Sequence, residues 1–201
     1  MRPLAQADRR GPPVDRASEE ELVARAQAGE SEAFDELANR HSGRLRRLLY
    51  RITRDCDAAY DAVQDALVRA WKNIGRFEGR SRFSTWLTRI GINEAYRGAR
   101  RSGREVASDP HDLVAEQVPD WGGQPDELFE SREFLEVVDE ALGEIPLDYR
   151  TAVTLRDIEG LSTAEAAEVL EIGERALKSR LHRGRTALRS KLDAYFAEVG
   201  E

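Results

Sequence analysis

The sequence predicts an all-α protein built as two small helical domains joined by an acidic linker, and three observations lead there. Apolar residues recur at helical spacing from Ser18 to Arg104 and again from Ser131 to Phe196, with no strand-like alternation and no internal repeat. Between these stretches, Glu105 to Glu130 holds eight acidic residues and no Lys or Arg, together with Pro110, Pro119, Pro125 and Gly122-Gly123. That is the composition of an extended tether rather than of a core-forming segment. Finally, 201 residues can form one large or two small cores, and 7% aromatic with 34% charged residues suits small helical modules.

Residues 1–17 contain Gly11-Pro12-Pro13, which blocks a helix, and read as disordered. They hold no apolar core of a signal peptide, and no apolar run approaches the roughly 20 residues needed to span a bilayer. A cytoplasmic protein without membrane insertion is expected. Residues 18–104 form the first domain. Ser18-Glu19-Glu20-Glu21 is a capping box that opens a helix carrying Leu22, Val23 and Ala26. A second helix runs from about Ser31 through Phe34, Leu37, Leu45, Leu48, Leu49 and Ile52, with an interruption expected near Ser42-Gly43. A third covers Asp57 to Ile74, its buried stripe drawn from Ala62, Val63, Ala66, Leu67, Ala70, Trp71 and Ile74. Its other face carries Asp61, Gln64, Asp65, Arg69 and Lys72, which by itself reads as a solvated surface. A fourth spans Ser84 to Arg101, with Leu87, Ile90, Gly91 and Ala95 inward and Arg89, Asn93, Tyr96, Arg97 and Arg100 on the other side.

Between the third and fourth helices lies the loop Gly75 to Phe83, with Arg76, Arg80, Arg82, Phe77 and Phe83. From Arg76 to Arg104 there are eight Arg against two acids, Glu78 and Glu94. Cationic residues interleaved with Phe77, Phe83, Trp86 and Tyr96 suit a single DNA strand, whose backbone needs charge and whose bases need surfaces to stack on. The competing reading of each aromatic is a core residue.

Residues 131–196 form the second domain, with breaks near Gly143 to Pro146 and at Gly160. Ser162 is an N-cap and Glu165 completes a capping box; Ala166, Ala167, Val169 and Leu170 are small enough for close helix crossing. After Glu171-Ile172-Gly173 comes a helix from Gly173 to Phe196. Seven basic residues and no acid fall between Arg175 and Lys191, in a chain whose net charge is −7. At 100° per residue, Leu177, Leu181, Gly184, Leu188 and Leu192 make the packing stripe. Arg175, Ser179, His182, Arg183 and Thr186 face the other way, flanked by Lys178 and Arg180. Arg pairs bidentately with guanine edges and Lys attracts phosphate, so this is a helix-turn-helix with a major-groove helix. A solvated basic helix in a bundle is the plainer alternative.

The single Cys56 excludes an intramolecular disulfide framework, and with three His it excludes a closed Cys/His zinc site. No acid/base pair, nucleophile triad, phosphate-binding glycine loop or metal cluster emerges, so no enzyme activity and no cofactor are expected.

Together these segments resemble the extracytoplasmic-function class of bacterial sigma factors, the smallest of the sigma-70 family. The resemblance is carried by Leu22 to Phe34, Asp61 to Trp71, Phe77 to Leu87, Ile145-Pro-Leu-Asp-Tyr-Arg150, Leu155 to Leu161 and Leu177-Lys-Ser-Arg-Leu-His-Arg-Gly-Arg185, in the family's order across both domains. It implies that residues 18–104 are region 2 and residues 131–196 region 4, joined by the acidic linker at residues 105–130 that threads through polymerase. It further implies promoter DNA and core RNA polymerase (β′ clamp helices and β flap) as partners, and an anti-sigma factor as regulator. Asp61, Gln64, Asp65 and Arg69 would dock on the clamp helices. Asn93 and the loop with Arg76, Phe77, Arg80 and Phe83 would serve −10 capture and melting, and Lys178, Ser179, His182 and Arg183 the −35 element; the helix-face reading adds Arg89 and Arg97 to the first set and Arg175 and Arg180 to the second. The chain departs from the family where Arg175-Ala176-Leu177 replaces Gly-Thr-Val, and where Glu171 stands in a turn that often holds Gly, which predicts local strain there. A two-component output regulator with a similar C-terminal helix-turn-helix, and a helical adaptor that binds no DNA, are the alternatives. The first would need a receiver of alternating strands and helices before residue 104.

Overall fold

A computed structural model of the protein describes residues 17–103 and 132–199, with side chains described except at 132–136 and 194–199. The expectations for the N-terminal segment and the acidic linker fall outside the described residues. Every regular element among those residues is helical.

In the first unit α1 (Glu19–Gln27), α2 (Ser31–Thr53), α3 (Cys56–Asn73) and α4 (Phe83–Arg101) surround one core of Leu22, Leu37, Leu49, Ile52, Leu87 and Ile92, each 1% exposed or less. The capping box at α1 forms as expected: the Ser18 hydroxyl accepts from the Glu21 amide, and the Glu21 carboxylate accepts from the Ser18 amide. Helix α2 runs unbroken through Ser42-Gly43, contrary to the expected interruption. Its packing face is supplied by Leu37, Leu45, Leu48 and Leu49, and burial of that stripe outweighs the propensity cost of one glycine, about 1 kcal/mol. It ends at Arg54, whose φ of 56° places a non-glycine residue in the left-handed region. Asp55 then caps α3 by accepting from the Ala58 amide.

In the second unit α5 (Arg132–Gly143) leads to α6 (Leu147–Val153), which continues as a π-helical turn, Thr154–Ile158. A helix-turn-helix follows, α7 (Thr163–Leu170) and α8 (Glu174–Val199). The breaks fall where Pro146 and Gly160 predict them. The Ser162–Glu165 capping box forms, and the hydrogen bonds at Ser162 hold the Glu165 carboxyl below its ordinary range.

The two units touch, which the sequence did not disclose. Arg150 of α6, 9% exposed, donates to the carbonyl of Ile52 at the end of α2 (2.7 Å) as well as to Gly143 and Ile145. A buried guanidinium needs such partners, since an unpaired one is expensive to desolvate.

Candidate promoter and polymerase interface

The loop between α3 and α4 is shaped from behind. The Gln27 side-chain amide donates to the carbonyls of Ile74 (3.1 Å) and Phe77 (2.7 Å), and Gly79 takes φ 69°, a conformation open to glycine at no steric cost. Phe83, expected among the −10 contacts, is instead 2% exposed, with ring centroids of His41, Phe77 and Trp86 at 5.5, 6.0 and 5.7 Å. Seated at the first position of α4, it anchors the helix to the core and is closed to a base. Phe77 is half-buried on Trp86 at 5.1 Å. The aromatics therefore set the loop's shape, and Arg76 and Arg80 are what it shows to solvent, Arg80 paired with Glu78 at 2.6 Å.

On α4, Asn93 is half-buried, and Arg97 donates to Glu94 at 2.9 Å. Glu94, 4% exposed, also binds Arg69 of α3. Sequence reading missed this carboxylate; the i, i+3 pairing with Arg97 was the available signal. Arg89 is engaged by Glu171 of the helix-turn-helix at 2.7 Å. Tyr96, expected on the open face, carries its hydroxyl into the seam between the units. Burial first, and then the charge of Asp148, push that phenol well above the usual tyrosine range.

Asp61, Gln64 and Asp65 are all exposed on α3, as expected. Trp71, expected in the buried stripe, is 37% exposed and leans on Phe34 at 5.2 Å. With Tyr60 (54%) and Val68 (51%) it makes an exposed apolar stripe beside the carboxylates. The sequence pattern hid this stripe, because apolar residues on both sides of α3 blur its helical period.

On α8, Leu177, Leu181, Gly184 and Leu192 are buried and Leu188 half-buried, confirming the packing stripe. Arg175 and Lys178 are exposed, while Ser179 and His182 are half-buried. Arg180 and Arg183 do not sit on the open face. The Arg180 side chain is 16% exposed and pairs with the buried Asp148 at 3.4 Å; Arg183 donates to the Tyr149 hydroxyl at 2.9 Å and lies over that ring. Gly184 explains the change: a Cβ there would lie 2.9 Å from the Tyr149 carbonyl, so α6 packs hard against α8 and draws in its flanking arginines. The strain expected at Glu171 is present, with φ 56° and ψ 37°.

Residues 37–105 match the sigma-70 region 2 family and residues 135–188 the sigma-70 region 4 family. The chain is 32% identical over 90% of its length to the sigma-H factor of Pseudomonas aeruginosa, covering 97% of that protein, and 31% identical over 89% to the ECF sigma-E factor of Escherichia coli, covering 96%. This chain belongs to the extracytoplasmic-function sigma factors. Among solved structures, CnrH in complex with the cytosolic domain of CnrY matches 90% of this sigma factor and 99% of that chain at 29% identity, with a TM-score of 0.61. The sigma factor RpoE of Bartonella quintana, in complex with the anti-sigma factor NepR, covers 80% and 96% at 29% identity, with a TM-score of 0.59. The region 2 match spans most of α2 through α4, and the region 4 match runs from α5 into α8. As a member of this family the sigma factor binds core RNA polymerase and directs it to promoters in transcription initiation. No described helix is long and apolar enough to cross a membrane, and the described residues contain no group of three or more side chains placed to hold a metal ion.

Proposed function

We propose that this sigma factor reads its promoters at two points, through Arg175, Lys178, Ser179 and His182 on α8 at the −35 element and through the Arg76–Arg80 loop, Arg89, Asn93 and Arg97 at the −10 element. What carries this reading is the placement of two exposed cationic surfaces on separate helical units of an acidic chain. Arg180 and Arg183 then act as supports that fix the angle of α8 on α6, and Phe77 and Phe83 as supports of the loop. Extruding a base costs a few kcal/mol, and a loop held this rigidly on its core supplies a preformed receptor for it. Asp61, Gln64 and Asp65, together with the Tyr60–Val68–Trp71 stripe, form the polymerase-docking face: apolar anchors give affinity and the carboxylates give orientation. Solved relatives were captured with the cytosolic domain of CnrY or with an anti-sigma factor, and an anti-sigma factor is the proposed regulator here. A cytoplasmic location follows from the work it does.

The alternatives have less support. A two-component output regulator needs a strand-containing receiver, and residues 17–103 contain no strand. A helical adaptor does not need DNA-facing cations on α8. Run-off transcription with core polymerase and genomic fragments is the direct test; a lack of any specific start would sink the promoter reading. Arg175→Ala distinguishes the adaptor as well: a base contact loses about 1–3 kcal/mol of site discrimination, and an adaptor is indifferent.

A further inference from the structure

The loop between α3 and α4 is braced by α1, a helix that takes no part in the promoter reading above. Gln27 is the last residue of α1 and is exposed. Its side-chain amide donates to the carbonyls of Ile74 at 3.1 Å and Phe77 at 2.7 Å, 47 and 50 residues along the chain. A primary amide has two N–H groups, so two carbonyls match its donor capacity. Those carbonyls stand at the two ends of one turn of 3-10 helix, Ile74–Arg76, which the Phe77 amide closes by donating to Ile74 at 3.0 Å. The amide therefore clamps the turn that presents the exposed Arg76 and starts the chain toward Arg80. The clamp has a firm base. Gly29 takes φ 96°, the Glu30 amide donates to the Arg25 carbonyl at 3.1 Å, and the Glu30 carboxylate pairs with the Arg25 side chain at 2.9 Å. Beyond Phe77 the loop has little else to hold it, since residues 78–82 bury no side chain before Phe83 returns to the core. The direction in which the chain leaves Phe77 then decides where Arg80 stands.

We propose that Gln27 is a positioning residue for −10 reading, its amide holding the Ile74–Phe77 turn in the one conformation that receives the promoter strand. This deepens the two-point reading above and rests on it. Gln27 touches no base and acts through the loop backbone. A loop fixed in its binding conformation avoids the ordering cost that a loose one meets on binding. One that holds the competent conformation about one-tenth of the time captures its base about tenfold more weakly. Helix α8 and the α3 carboxylates take no part in the clamp, so −35 preference and polymerase capture should survive its loss.

Gln27→Glu tests it, because the carboxylate keeps the shape, cannot donate, and sets negative charge against two carbonyl oxygens. In the full free chain, amide hydrogen exchange at Phe77, whose N–H closes the turn, should quicken about tenfold while the core helices stay unchanged. The second measurement uses holoenzyme assembled with core polymerase. Its templates derive from a genomic fragment that gives a specific start, randomised over either the −10 or the −35 segment, and the transcripts are sequenced. Gln27→Glu should flatten the base preference within the −10 segment about tenfold and leave the −35 preference intact. Gln27→Lys restores donors and should recover both the slow exchange and the preference. Its added charge attracts phosphate, which carries no sequence information, so charge alone cannot imitate that recovery. Gln27→Ala removes the donors without adding charge and repeats the test should Gln27→Glu not fold. Unchanged exchange at Phe77, a fully kept −10 preference, or equal losses at −10 and −35 would each overturn the proposal. A wild-type holoenzyme with no base preference in the −10 segment sinks the promoter reading and the proposal with it, whereas a wild-type preference that Gln27→Glu leaves intact sinks the proposal alone.

Discussion

Three helical glycines offer a graded test of how α8 is seated. Replacing glycine by alanine within a helix stabilises it by about 0.8–1.0 kcal/mol when the new methyl meets nothing. Gly98 in α4 is that case, because no heavy atom lies within 4 Å of the Cβ position. At Gly91 the methyl would meet Leu45 Cδ1 at 2.8 Å and Leu49 Cδ1 at 3.2 Å, the ends of flexible side chains that can turn aside. At Gly184 it would meet Val153 Cγ2 at 2.7 Å and the Tyr149 carbonyl oxygen at 2.9 Å, and backbone in the middle of α6 cannot turn aside. Overpacking of this kind costs about 1–3 kcal/mol, which exceeds the propensity gain. The expected order of stability is Gly98→Ala above wild type by about 1 kcal/mol, Gly91→Ala near wild type, and Gly184→Ala below it by about 1–2 kcal/mol. Denaturant unfolding followed by circular dichroism measures all three, with slopes compared to confirm unchanged cooperativity. Gly184→Ala should also weaken transcription, since α8 must shift on α6. A Gly184→Ala protein as stable as wild type would refute the close approach, and with it the account of why Arg180 and Arg183 turn inward.

Other outcomes follow from the same geometry. Ser18→Ala removes the α1 cap and should destabilise the first unit by about 1 kcal/mol in the same unfolding assay. Absorbance titration near 295 nm should find one tyrosine ionising well above the others, and Tyr96→Phe should delete that step. Because folding holds this phenol neutral, its contribution is complete below the unfolded value of about 10 and is lost as the pH climbs above it. The folded protein should therefore lose stability in alkali, and Tyr96→Phe should blunt that loss. Asp61→Lys with Asp65→Lys should weaken capture by core polymerase about tenfold, steeply dependent on salt, with the unfolding transition unchanged. Trp71→Ala should weaken capture with little salt dependence.

The sequence alone revealed the fold class and both capping boxes. It also revealed the leucine stripe of α8 and the strained position at Glu171, because each is set by short-range spacing along one helix. It placed the α3 carboxylates Asp61 and Asp65 and the cationic Arg76 and Arg80 at the surface for the same reason. It misjudged the residues whose role depends on a neighbour distant in the chain. Phe83 looked like a base contact until His41 and Trp86 were seen around it. Trp71 looked buried because its side of α3 is apolar, though it leans on Phe34 with 37% of its surface left exposed. Arg180 and Arg183 fall on the outer face of an isolated helix, and only the approach of α6 at Gly184 turns them toward Asp148 and Tyr149. Helical periodicity assigns a residue to a face, and tertiary packing decides whether that face meets solvent. The meeting of the two units belongs wholly to tertiary structure. It includes charges such as Glu159 and Asp139, which carry no periodic signal and acquire their arginine partners only when chain segments on either side of the acidic linker are brought together.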